Sequence, residues 1–207
     1  MIVIVNYGLG NLASIKNMLK KIGVKSTISS DHEEIAKASK LILPGVGAFD
    51  QGMKYINNLN LKPILDKKVL EEKIPILGIC LGMQLLSDGS AEGKLGGLGW
   101  IKGRCNKFSF QSITNGDTLK IPHMGWNEVT IANDLSLYRG FDKNDAAFYF
   151  VHSYHLVCED SLSVLTSTSY GYEFTSSVQQ KNIMGVQFHP EKSHKYGMKL
   201  LRNFVEM

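Results

Sequence analysis

The sequence predicts a three-layer α/β fold whose mainly parallel sheet carries an antiparallel extension. Three observations lead there. Short apolar runs alternate with amphipathic stretches through the first half of the chain, which is the rhythm of a parallel sheet covered on both faces. Beyond Gly93 the pattern changes to glycine-rich turns and short alternating segments, as in antiparallel strands. With 207 residues and 43% hydrophobic content, the chain can bury a substantial core but is short for two, so one domain over residues 1–207 is expected.

The elements follow in order. Ile2 to Val5 reads as a strand; Leu12, Ile15, Leu19 and Ile22 recur at helical spacing, and Gly23 stops that helix. Val24 to Ile28, Leu41 to Leu43 and Ile76 to Ile79 continue as strands separated by helical stretches. The later strands are expected around Trp100 to Phe110, Leu119 to Ile121, Glu128 to Ile131, Ala147 to Val151 and Val164 to Ser167. A last strand near Ile183 to Gln187 leads into a closing helix with Met198, Leu201 and Phe204 on its apolar face.

Composition narrows the function classes. No stretch approaches the roughly 20 apolar residues that span a bilayer, and Met1 to Val5 lacks the basic lead of a signal peptide, so a cytoplasmic protein without membrane attachment is expected. Net charge +4 is spread over many lysines without an aromatic-interleaved basic stripe, which argues against nucleic-acid binding. Cys80, Cys105 and Cys158 form neither a disulfide framework nor a metal-ligand spacing; no metal and no cofactor are expected.

The most informative segment is Gly78-Ile79-Cys80-Leu81-Gly82-Met83-Gln84, where a cysteine stands between glycines at a strand-to-helix turn. Such a turn is tight and projects its central side chain alone above the sheet edge, and the opening helix presents unpaired N–H groups that favour a thiolate. Far down the chain, Gln187-Phe188-His189-Pro190-Glu191-Lys192 ends an apolar strand with a histidine and a carboxylate two residues on, which share one side if the segment is extended. Together Cys80, His189 and Glu191 make a nucleophile, a base and the group that orients the base. The loop Pro44-Gly45-Val46-Gly47 offers backbone N–H groups at close approach, as an oxyanion hole needs, with the N–H of Leu81 as the companion donor. One such donor contributes about 3 kcal/mol to a transition state.

Competing readings remain at this level. Gly8-Leu9-Gly10-Asn11-Leu12-Ala13 follows a strand and opens a helix, as in a dinucleotide-binding fingerprint, with Asp31 near the distance expected of a ribose-binding acid. His152 and His155 are alternative bases.

The cysteine elbow and the His-Pro-Glu segment resemble the paired signatures of class I, triad-type glutamine amidotransferases, and the likeness runs from Ile2 almost to the C-terminus. More narrowly, Tyr7-Gly8-Leu9-Gly10-Asn11, Pro44 to Phe49, Pro122-His123-Met124-Gly125-Trp126-Asn127 and Tyr149 to Tyr154 resemble the glutaminase subunits of imidazole glycerol phosphate synthases. The resemblance implies a flavodoxin-like fold and hydrolysis of L-glutamine to glutamate and ammonia. It also implies a heterodimer with a HisF-like (β/α)8-barrel cyclase that receives the ammonia. Gly47, Gln84, Ser153 and Tyr154 match the positions that hold glutamine, and Asn11, Trp126, Tyr149 and Lys192 match the partner interface; Tyr7 falls near the oxyanion loop. Asn6, Ser90 to Gly93 and His155 depart from the subfamily pattern. They keep open a paralogue that donates ammonia to a surface-sugar amidotransferase, and a noncatalytic binding module is a third reading.

Overall fold

In the computed structural model, which describes residues 1–111, 113, 119–132, 136–142 and 146–207, every residue of strand β1 (Ile2–Val5) is buried. Its side chains divide by parity. Ile2 and Ile4 join Ile42, Leu77 and Ile79 in one core, while Val3 and Val5 join Leu41, Leu43 and Ile76 in the other. Two apolar faces require two covering layers. Helices α1 (Leu12–Lys21) and α6 (His194–Glu206) bury Ile15, Leu19, Leu200, Leu201 and Phe204 in the first core. The helices α2 (His32–Ala36), α3 (Phe49–Asn58), α4 (Leu61–Asp66) and α5 (Leu81–Leu85) bury Ile35, Phe49, Ile56, Leu65 and Leu85 in the second.

The central sheet joins β2 (Ser26–Ser29), β1, β3 (Lys40–Gly45), β4 (Ile76–Cys80) and β13 (Ile183–Val186) as parallel neighbours. It continues antiparallel through β12 (Tyr172–Gln180), β11 (Val164–Tyr170) and β8 (Thr130–Ile131). Two small sheets flank it: β5 (Gly89–Ser90) with β6 (Gly103–Lys107) and β10 (Tyr154–Cys158), and β7 (His123–Glu128) with β9 (Ala147–His152).

The expected fold class is therefore the observed one, with local corrections. Leu119 to Ile121 is not a strand; pairing begins at His123, after Pro122, which has no N–H to give to a ladder. The strand expected over Trp100 to Phe110 is confined to β6, because the Trp100 and Ile101 N–H groups turn back to the Leu86 carbonyl. Strand β12, the longest among the described residues, is absent from the expected strands.

Candidate active site

Cys80 ends β4 and precedes α5 with φ 54° and ψ −112°, a conformation that costs a non-glycine residue of the order of 1–3 kcal/mol. The glycines explain how the turn closes. A Cβ on Gly82 would lie 1.7 Å from the Leu43 carbonyl oxygen of β3, and one on Gly78 would lie 2.8 Å from the backbone of Gly82 and Met83. The helix that follows is only Leu81–Leu85; besides the Val151 carbonyl oxygen, 4.0 Å from Sγ, polar side chains approach the sulfur.

Those side chains come from the segment that follows β13. Gln187, fully buried, directs its Nε2–H to Cys80 Sγ at 3.7 Å. His189 Nδ1 is 2.7 Å from Glu191 Oε1, and both side chains are 2% exposed. The segment is not extended as the His-x-Glu spacing suggested: Pro190–Lys192 forms a 3-10 turn with proline at its start, and that turn swings the carboxylate back beneath the ring. Burial opposes charge on His189, but the Cys80 sulfur and the Glu191 carboxylate outweigh it and push the imidazole up to about 10. His189 Nε2 has no hydrogen-bond partner among the described residues. Ser193, not singled out from the sequence, fixes this turn: its hydroxyl donates to the His189 carbonyl at 2.6 Å and accepts from the Tyr149 N–H at 3.0 Å.

Cys80 and His189 open onto a cavity of about 470 Å³ lined also by Val46, Gly47, Leu81, Gln84, Ser153 and Tyr154. Gln84 Nε2 donates to the Tyr154 carbonyl and to Gln187 Oε1, each at 3.0 Å, so its Oε1 is the uncommitted atom. Glu92, Val151 and His152 line the cavity too, and Glu92 is its one carboxylate among the described residues. Glu92 Oε2 accepts the Phe49 N–H at 2.8 Å, which ties this loop to the start of α3. Of the oxyanion candidates, Val46 borders the cavity, Leu81 carries the first N–H of α5, and Gly45 lies one layer back as the last residue of β3, paired with Cys80. The Tyr7 hydroxyl is wedged under Gly45, where a Cβ would meet it at 2.2 Å; burial, then the Cys80 charge, raises it well above the usual phenol range.

Among the interface candidates, Trp126 and Tyr149 pair across β7 and β9, Lys192 lies over the Tyr149 ring at 5.3 Å, and Trp126 stacks on His194. Asn11 stands apart at the start of α1, which packs against the 190–192 turn. The dinucleotide alternative fails on geometry: Asp31 is the cap of α2, accepting the Glu34 N–H at 2.9 Å, and Gly10 packs against Pro44. The alternative bases fail as well. His152 has both ring nitrogens engaged and burial pushes it down to about 3, while His155 bonds the Tyr172 hydroxyl away from the cavity.

The structure thus brings a cysteine on a strained elbow and a buried histidine–carboxylate pair to one cavity beside a doubly covered, mainly parallel sheet. Residues 3–207 match the family described as glutamine amidotransferase class-I, and the chain belongs to that family. It is 53% identical over 206 residues to imidazole glycerol phosphate synthase subunit HisH 2 of Methanococcus maripaludis, covering 100% of this chain and 99% of that one. It is 46% identical over 207 residues to the subunit HisH 2 of Pseudomonas aeruginosa and 45% identical to the subunit HisH of Bdellovibrio bacteriovorus, each over 100% of both chains. In fold it is similar to PurLQS from Thermotoga maritima, with TM-score 0.74 and 19% identity over 99% of this chain and 97% of that one. A second similar structure, described as glutamine amidotransferase, has TM-score 0.73 at 18% identity over 100% and 98%.

Proposed function

We propose that the chain, acting as one unit over residues 1–207, is the cytoplasmic glutaminase subunit of an imidazole glycerol phosphate synthase. The observation that carries the chemistry is the buried His189–Glu191 pair facing Cys80 at the floor of a cavity large enough for an amino acid. Cys80 gives its proton to His189 Nε2, and the Sγ thiolate attacks the side-chain carbonyl carbon of glutamine. The tetrahedral oxyanion is held by N–H groups of Leu81 and of the Gly45–Val46 segment. His189 then returns the proton to the leaving nitrogen, ammonia departs, and a γ-glutamyl thioester stays on Cys80. Water, deprotonated by the same imidazole, releases glutamate. Gln84 Oε1, Gly47 and the Ser153–Tyr154 turn hold the α-amino and α-carboxylate groups, with Glu92 as the countercharge for the ammonium.

Free ammonia is protonated in neutral water, so the reaction is useful only when the product passes directly to an acceptor enzyme. Full-length relatives bearing the synthase-subunit name support a HisF-like barrel cyclase as that partner. Met124 and Trp126, 62% and 49% exposed on the outer face of β7, give it an apolar footing next to Tyr149 and Lys192. A second reading is a paralogue supplying ammonia to a surface-sugar amidotransferase; the Methanococcus and Pseudomonas relatives are themselves numbered as second subunits. Copurification identifies the partner. A cyclase that makes imidazole glycerol phosphate from glutamine only when this chain is present supports the first reading. A strain lacking this chain and any second copy, yet growing without histidine, overturns it.

A further inference from the structure

Strand β7 has two dissimilar faces: Met124 and Trp126 point outward, whereas His123 is buried and Asn127 half-buried on the inner side. From that inner side a line of hydrogen bonds crosses the small sheet to the cavity. Asn127 Nδ2 lies 3.2 Å from His123 Nε2, His123 Nδ1 lies 3.0 Å from His152 Nε2, and His152 Nδ1 lies 2.9 Å from the Tyr154 carbonyl oxygen. The polarity of the whole line follows from its end. A carbonyl only accepts, so His152 carries its proton on Nδ1 and, as a neutral ring, presents Nε2 as an acceptor. His123 must then donate from Nδ1, and its Nε2 accepts from Asn127. Asn127 agrees with this orientation, since its Nδ2 also donates to the Ser169 carbonyl at 2.9 Å and its Oδ1 accepts the Glu128 N–H at 2.9 Å.

Both rings sit in an aromatic shell: Tyr170 stacks on His123 at 4.1 Å, and Phe108, Phe150 and Phe174 surround the pair. Burial keeps them neutral, lowering His123 to about 4 and His152 to about 3. Two polar rings in an apolar setting are an expensive way to fill a core, and a pair of leucines would serve packing better. The far end of the line explains them: the Tyr154 carbonyl also takes the Gln84 N–H, and Tyr154, Ser153 and Gln84 all border the cavity.

We propose that Asn127, His123 and His152 form a directional relay of positioning residues that orients the Ser153–Tyr154 turn, and thereby the affinity for glutamine, from the seat of strand β7. The proposal rests on the glutaminase reading, and the test separates the two. His123→Gln keeps a donor toward His152 and an acceptor toward Asn127; His123→Leu keeps the volume and loses both. In steady-state glutaminase assays on the complex with its acceptor enzyme, His123→Leu raises KM for glutamine about tenfold, as one lost hydrogen bond would, with kcat within about twofold. His123→Gln returns KM to within about threefold of wild type. Nitrogen-15 NMR of the wild-type rings at neutral pH reads both as the Nδ1–H tautomer. The relay is overturned if either ring is Nε2–H or charged, or if the two variants lower kcat and stability alike without a KM change. A wild-type complex inactive on glutamine sinks the glutaminase reading instead, and the ring tautomers still judge the relay.

Discussion

Replacing Glu191 by glutamine removes one charge at 2.7 Å from His189 and leaves the shape of the site almost unchanged. His189 is raised from 6.5 to about 10, with the Cys80 sulfur as the larger favourable influence and Glu191 the second. A hydrogen bond to a charged group contributes about 1.5–3 kcal/mol, and Glu191 supplies one to the imidazolium. The carboxylate holds that imidazolium until it gives its proton to the leaving nitrogen, so without it the attacking thiolate–imidazolium pair is scarcer and kcat falls ~10–100-fold. The glutamine amide can also donate to Nδ1 and turn the ring so that Nε2–H faces the sulfur, which deepens the loss toward ~10⁴-fold. Stability follows the same pair. Because the folded value is raised, the contribution is present in full below about pH 6.5 and is lost as the pH rises through about 10. Glutamate release by the complex, with the acceptor enzyme's turnover on added ammonium salt as control, measures the effect. A Glu191→Gln complex with kcat within threefold of wild type refutes the reasoning.

Other substitutions test other parts of the site. Gly82→Ala drives a Cβ into the Leu43 carbonyl, so the urea midpoint drops by the equivalent of about 1–3 kcal/mol or more and glutaminase activity goes with it. Tyr7→Phe deletes a buried hydroxyl that has no protein partner among the described residues; the urea midpoint holds or rises by up to about 1 kcal/mol, whereas a marked drop would reveal a bond in solution. Burial pushes Cys105 up to about 12 and Cys158 up to about 11, so at pH 8 iodoacetamide inactivates through Cys80, and Cys105→Ala retains hydrolysis. His123 and His152 are depressed by burial, so the unfolded chain binds protons that the folded one does not between about pH 6.5 and 4; stability falls with acid across that window, and His123→Gln flattens the slope.

The parallel half of the sheet was legible because Ile, Val and Leu fill β1, β3 and β4 on both faces, and because glycine marks the turns. The elbow was legible for a related reason: glycines at 78 and 82 are demanded by backbone contact, and such demands leave a mark in the sequence. Strand β12 was not, because its interior is polar. Ser176 and Ser177 are fully buried and bond Thr166 at 2.8 and 2.7 Å, with Tyr138 closing on Ser177, so cross-strand hydroxyl pairs replace the apolar alternation that marks a strand. Gln187 and Glu92 were missed since their roles arise from contacts with residues distant in the chain, Cys80 for one and Phe49 for the other. The His-x-Glu spacing pointed to the right pair through the wrong backbone, a 3-10 turn in place of an extended link.

The central claim is that Cys80 forms a covalent bond to the side-chain carbonyl carbon of glutamine. Treating the active complex with a chloroketone analogue of glutamine and locating the adduct by peptide mass spectrometry tests it most directly. The expected result is stoichiometric modification of Cys80, blocked by excess glutamine, with loss of glutamine-dependent but not ammonium-dependent turnover by the partner. Modification of Cys105 or Cys158 with Cys80 left free would contradict the account.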